Sequence, residues 1–250
     1  MVILKTVREL ALMREAGRIS QEALQQAGRA VEPGVSTLEL DGIVRRYIEK
    51  KGATPSFLGY GGFPASACIS VNNVVIHGIP SKQQILKEGD IVSIDVGARL
   101  NGYHGDNAWT FPCGRVSAQA QALMDATREA LFEGIRMAVA GNRIGDIGHA
   151  VQKYAEARSY SVVRDFVGHG VGAKLHEDPS VPNYGTPGHG LRLIPGMVIA
   201  IEPMINQGTH RVRVLDDKWT TVTADGKLSA HFEHTIAVTP NGPVILTMPD

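Results

Sequence analysis

Hydrophobic and polar positions along this chain follow two rhythms, and the same succession of rhythms occurs twice. Apolar residues keep helical spacing from about Val7 to Ala27 and again from about Ala118 to Ala140. A break follows each long helix, at Pro33-Gly34 and at Gly141-Asn142, and a shorter helix comes next. The first short helix opens at Ser36, where Ser36 and Glu39 have capping-box spacing, and stops at Gly52; the second runs from about Asp146 to Arg158. Period-two, β-branched runs then predict strands in each half, with hairpins at Asn101-Gly102 and Asp225-Gly226 and a surface loop from Asp178 to Gly190. The expected fold is α+β. Its two pseudo-symmetric halves, about 1–115 and 116–250, each supply two helices and antiparallel strands, so helices cover one face of a curved sheet and a site occupies the other. All 250 residues are expected to form one domain.

The repetition is visible residue by residue. Segments 86–95 and 193–202 match as Leu86/Leu193, Gly89/Gly196, Ile91/Val198, Val92/Ile199, Ile94/Ile201 and Asp95/Glu202, and the same offset pairs Tyr47/Tyr154 and Glu49/Glu156. Each copy is a buried strand ending in a carboxylate. An acid there is costly unless it is paired or bound to a cation, and two at equivalent positions call for a shared metal.

Composition narrows the partners. Twenty-five basic and twenty-five acidic residues cancel, which removes the electrostatic footprint of a nucleic-acid or membrane-surface binder. Cys68 and Cys113 are too few for a disulfide framework or a thiolate zinc site, and a reducing cytoplasm is the expected setting. Residues 1–20 read as a charged amphipathic helix with Lys5, Arg8, Glu9, Arg14 and Glu15 interleaved, not as a signal peptide. No run approaches the roughly 18 apolar residues of a membrane span.

The candidate chemistry gathers around Asp95. If Asn101-Gly102 is a two-residue turn, Asp106 lies opposite Gly97, diagonal to Asp95 on the same face, while Val92, Ile94, Val96 and Ala98 face the core. Asp90 and Asp216 read as turn residues instead. His169 stands in the frame Gly168-His169-Gly170-Val171-Gly172, which leaves its imidazole unobstructed, and Glu233 shares a strand face with His231 and Thr235. Four carboxylates and one imidazole suit two divalent ions about 3.5–4 Å apart, a clamp that activates water and polarises a carbonyl; Mn, Fe, Co, Ni and Zn all accept such a set. His231 has two readings: neutral at pH 7 and charged in mild acid beside the metal side, or lying against protein and never titrating usefully.

These residues resemble the methionine aminopeptidases, through Ser93-Ile94-Asp95-Val96, Gly102-Tyr103-His104-Gly105-Asp106, the glycine frame of His169, Ile201-Glu202-Pro203-Met204 and Phe232-Glu233-His234-Thr235. The resemblance covers nearly the whole chain and, without a long insertion between His169 and Glu202, is to the type I form. It implies the pita-bread fold and a two-metal ligand set of Asp95, Asp106, His169, Glu202 and Glu233, with Glu202 as proton shuttle. His77 and His176 match the histidines that contact the scissile amide. Tyr60, Phe63, Cys68, Leu175 and Trp219, together with His77 and His176, fall at positions that line the methionine pocket, and a monovalent cation, Na or K, is implied near Asn72, Val74 and Ser229. The chain departs from the family pattern at Phe63 (tyrosine in many members), Leu175 (phenylalanine) and His231 (glutamine). The implied activity is removal of the initiator methionine from new proteins with a small second residue, by a cytoplasmic monomer in transient contact with the ribosome and with no stable nucleic-acid or membrane partner. Two competing readings stand beside it: a proline-specific peptidase of the same fold, and a binding protein of that fold without catalysis.

Overall fold

The computed structural model describes residues 1–248. Its helices are α1 (Val7–Arg29), α2 (Thr37–Lys50), α3 (Ala118–Met137) and α4 (Ile144–Glu156). The strands before residue 115 are β1 (Thr54–Pro55), β2 (Ala67–Val71), β3 (Val74–Ile76), β4 (Ile91–Leu100) and β5 (Tyr103–Pro112). Those after it are β6 (Ser161–Val162), β7 (Gly168–Gly170), β8 (Glu177–Val181), β9 (Val198–Ile201), β10 (Met204–Asn206), β11 (Val212–Val214), β12 (Thr221–Thr223), β13 (Ser229–His231), β14 (Glu233–Thr239) and β15 (Gly242–Ile245). No described helix is long and apolar enough to cross a membrane.

The helix starts follow from side-chain chemistry. The Ser36 hydroxyl accepts from the Glu39 N–H while the Glu39 carboxylate accepts from the Ser36 N–H at 2.8 Å, the reciprocal cap expected from sequence. Thr6 and Glu9 do the same for α1, so the helix begins after Lys5, which is buried and not a charge on a helical face. α4 opens two residues earlier than expected. Asp146 is not its first residue but lies inside its first turn, where its carboxylate accepts from the Arg143 and Gly188 N–H groups, each at 2.7 Å.

One nine-stranded antiparallel sheet runs β1-β4-β5-β14-β9-β7-β8, with β2 added on β4 and β15 on β14. It therefore takes strands from both halves of the sequence. Val92, Ile94, Val96 and Ala98 of β4 are fully buried against α1 and α2, and Ile199, Ile201, Ile236 and Val238 against α3 and α4. Burial of each valine or isoleucine stabilises the fold by about 1.5–3 kcal/mol. Trp109 packs against both clusters and joins them. With one face committed to helices, the alternating side chains of the other face are free to build a site.

Two expectations fail. Asp225-Gly226 turns the chain but closes no hairpin, because β12 pairs with β11 and β3 whereas β13 pairs with β10. The stretch from Asp178 to Gly190 is not all loop: Asp178 to Val181 belong to β8, paired with β7.

Candidate active site

The hairpin at Asn101-Gly102 has the register read from its turn, with Gly97 opposite Asp106. From that register the site assembles strand by strand. Asp95 on β4 and Glu233 on β14 both lie opposite Ala108, one on each side of β5, and Asp106 precedes Ala108 by two residues on the same face. Glu202 follows the last residue of β9, and His169 is the central residue of β7. The five side chains thus come from five adjacent strands, β4, β5, β14, β9 and β7. They meet at the bottom of one cavity of about 150 Å³. His169 Nε2 is 3.5 Å from Glu202 Oε1 and 3.7 Å from Asp106 Oδ2, and ligand atoms of Asp106, His169 and Glu233 all lie within 4.8 Å of one another.

The glycines around His169 act through space. A Cβ at Gly168 would come within 2.3 Å of the Ala200 carbonyl, and one at Gly170 within 2.2 Å of the Asp178 carbonyl. Only hydrogen lets β7 fit between β9 and β8. The His169 Nδ1 faces the Gly170 carbonyl at 2.9 Å, which favours a proton on Nδ1 and leaves Nε2 as a lone pair toward the acids.

The electrostatics of the cluster ask for a cation. Asp106 and Glu233 are 3% and 2% exposed. Burial pushes the Asp106 carboxyl up to about 7. Burial first and then repulsion from neighbouring acids hold Asp95, Glu202 and Glu233 well above the ordinary carboxylate range. Burial also drives His169 down to about 3. Asp95 Oδ1 and Asp106 Oδ1 are buried with no hydrogen-bond donor. Acceptor-only oxygens and a neutral imidazole nitrogen, buried together, fit hard to borderline divalent cations.

Above the acids the cavity is apolar. Phe63, Cys68, Leu175 and Trp219 line it, as expected, and so does Phe57, which the sequence reading missed. Phe57 carries no polar signature and stands in an irregular stretch, so only the folded path brings it here. Tyr60 forms the lip, its hydroxyl 2.8 Å from His176 Nδ1, and the His176 ring lies 4.0 Å from that of His169. His77 also lines the cavity and packs against Phe166 and Trp219, with a left-handed backbone at φ 58° that a non-glycine residue adopts only at a cost. Burial lowers both histidines, His77 to about 4.

His231 faces the same cluster, with Nε2 buried and unpartnered 4.0 Å from Glu202 Oε2. Burial, with His77 nearby, pushes it down to about 3, so it stays neutral through mild acid, which favours the second of its two readings. Two of the candidate monovalent-cation residues meet, the Ser229 N–H donating to the Asn72 carbonyl at 2.9 Å, while Val74 opens β3 and pairs with Val222. The Asn72 side chain is engaged with Asp90 and the Ile91 N–H, which leaves main-chain oxygens as the donors available there.

A sheet that carries one ligand-type side chain per strand, closed over by an apolar pocket, defines a metal-dependent hydrolase. The profile of metallopeptidase family M24 matches residues 11–240, and the chain belongs to that family. Its relatives include the methionine aminopeptidase of Clostridium perfringens (58% identical over 99% of both chains) and methionine aminopeptidase 1 of Bacillus subtilis (55%, again 99% of both). The crystal structure of methionine aminopeptidase from Thermotoga maritima superimposes with a TM-score of 0.98 at 45% identity, covering 100% of both chains. The prolidase of Pyrococcus horikoshii shares the fold at 23% identity, with a TM-score of 0.80 over 100% of this chain and 65% of its own.

Proposed function

We propose that this chain is a methionine aminopeptidase that removes the N-terminal methionine from peptides and newly made proteins whose second residue is small. The observation that carries this reading is the joining, in one cavity, of the candidate metal-ligand cluster and an apolar lining. Relatives of that name at 58% and 55% identity over 99% of the chain support it.

Two divalent ions, drawn from Mn, Fe, Co, Ni and Zn, would be held by Asp95, Asp106, His169, Glu202 and Glu233, and when bound they supply an activated water and a Lewis acid for the scissile carbonyl. The protein's own groups do the rest. Phe57, Phe63, Cys68, Leu175 and Trp219 surround an unbranched, polarisable thioether, for which aromatic faces and sulfur are good neighbours. A free α-amine is accommodated beside the carboxylates, which restricts cleavage to the first residue. His77 and His176 are neutral near pH 7, so each can donate an N–H to the carbonyl oxygen or the amide as charge develops, without bringing a net charge into the cavity. Glu202 takes a proton from the water and returns it to the departing amine. A monovalent cation, Na or K, near Asn72, Val74 and Ser229 would tie β3 to β13. We further propose one domain of two halves, 1–115 and 116–250, working as a monomer in the cytoplasm with transient ribosome contact and no stable nucleic-acid partner.

Peptide cleavage with added divalent metal tests the reading. Met-Gly, Met-Ala and Met-Ser starts should be processed, whereas Met-Lys, Met-Phe and x-Pro substrates should not. Comparable rates on all the methionine peptides would refute the steric limit at the second residue. Cleavage of x-Pro would move the assignment to a proline-specific peptidase, and inertness of the metal-loaded protein toward every peptide would favour a binding protein.

A further inference from the structure

Lys5 is a buried ammonium outside the cavity, and it connects two parts of the site. Its side chain is 3% exposed and that of its partner Glu177 is 6% exposed, with Nζ 2.7 Å from Glu177 Oε2 and 3.0 Å from the Ile3 carbonyl. The helical pair Arg45–Glu49, by contrast, is 52% and 50% exposed. A pair taken out of water loses much of its hydration energy and is weak evidence for stability, which directs attention to the geometry it enforces. On one side, the Lys5 N–H donates to the Gly196 carbonyl at 2.7 Å, in the turn that opens β9 and leads to Glu202. The Gly196 N–H in turn donates to the Val238 carbonyl on β14, the strand of Glu233. On the other side, Glu177 directly follows His176, accepts from the Lys174 N–H at 3.1 Å, and lies opposite Gly170, next to His169. His176 itself is exposed, as are Ala173 and Lys174, and the segment is held from below by Leu175, which is buried against Phe57, Phe63 and Cys68.

We propose that the Lys5–Glu177 pair is a positioning element for catalysis, a strut that sets the distance between the strands carrying Glu202 and Glu233 and the segment carrying His176. The inference rests on the role assigned to His176 above. Neither Lys5 nor Glu177 touches the substrate. Their effect passes through the placement of the His176 imidazole, for which an error of about 1 Å can cost up to about 100-fold.

A mutant cycle tests the strut. K5M leaves a buried carboxylate alone and endangers folding, so the pair is replaced as a unit: K5M/E177M keeps the volume and removes both charges. Expected in the metal-loaded enzyme is a 10- to 100-fold loss of kcat with bound metal unchanged, and faster amide hydrogen exchange at Lys174–Asp178. In an H176A background the same replacement should change kcat by less than about twofold, because the group it positions is gone. Equal fold losses in both backgrounds, or no loss with His176 present, would overturn the proposal. An H176A enzyme with wild-type kcat would instead overturn the role of His176, a distinct outcome. If K5M/E177M does not fold, E177Q carries the same cycle, keeping an acceptor oxygen for Lys5; a loss of about threefold that vanishes in the H176A background is expected, and one that persists there overturns the strut.

Discussion

Asp106 lies on the middle strand of three, between those of Asp95 and Glu233, with Oδ2 3.7 Å from His169 Nε2 and Oδ1 buried without a hydrogen-bond partner. Asp106→Asn replaces one anionic oxygen by an NH₂ group that cannot ligate, and His169→Ala removes the one imidazole of the proposed ligand set. Each is expected to lower bound metal, measured by elemental analysis, and to cut turnover by more than about 100-fold, since even supporting residues around a metal reach that figure. Near-normal turnover with one metal position lost would sink the two-ion reading. His176→Ala should behave differently: metal content holds while kcat falls by about 100-fold or more, as for a group acting on the transition state. A change confined to KM would make His176 a substrate-binding residue only. At this scale the residues proposed as ligands stood out in the sequence because each violates a local rule, an acid in a buried strand or a histidine among glycines. The titration of His231 could not, because it depends on neighbours that the fold brings from elsewhere.

Among the elements, α1 packs directly on the backbone of β5. A Cβ on Gly105 would lie 2.3 Å from Gly17 Cα and 2.9 Å from the Ala16 carbonyl carbon, so the helix backbone rests on the strand next to Asp106. Gly105→Ala must push the two apart. The expected cost is about 1–3 kcal/mol in denaturant unfolding, with weaker metal binding because Asp106 moves with its strand. Unchanged stability and metal affinity would show that the contact relaxes freely. The sequence displayed the Ser36 cap and the Asn101-Gly102 register, since both depend on residues within a few positions of one another. It misread Asp225-Gly226, where the turn is local but the choice of partners for β12 and β13 is made by β3 and β10.

Across the whole molecule, buried ionisable groups shape the pH dependence of stability when divalent metal is withheld. Folding raises Asp106 to about 7 and Asp95, Glu202 and Glu233 well above their ordinary values, so above about pH 4 the folded state holds protons that the unfolded chain has lost. That contribution falls as pH rises through the raised pKa values. His77, His104 and His234 at about 4, and His169 and His231 at about 3, act oppositely: below 6.5 the unfolded chain takes protons that the folded one refuses, so stability climbs up to about pH 6.5 and then levels. Metal-free protein should therefore melt highest at about pH 6–7 and lower toward pH 9, and added Mn should raise the melting temperature most on the alkaline side. A melting temperature that climbs steadily to pH 9 without metal would contradict this balance. By itself the sequence determined the helices and the β4–β5 hairpin, and marked the acids and the histidine that the fold gathers in one cavity, because periodicity, caps and two-residue turns act over a few bonds. The tertiary structure alone decided that β14 lies beside β5, that Phe57 lines the pocket, that His231 is too deeply buried to charge in mild acid and that Lys5 reaches Glu177. Those contacts join residues far apart in sequence, and their energies come from burial and packing, which exist only once the chain has folded.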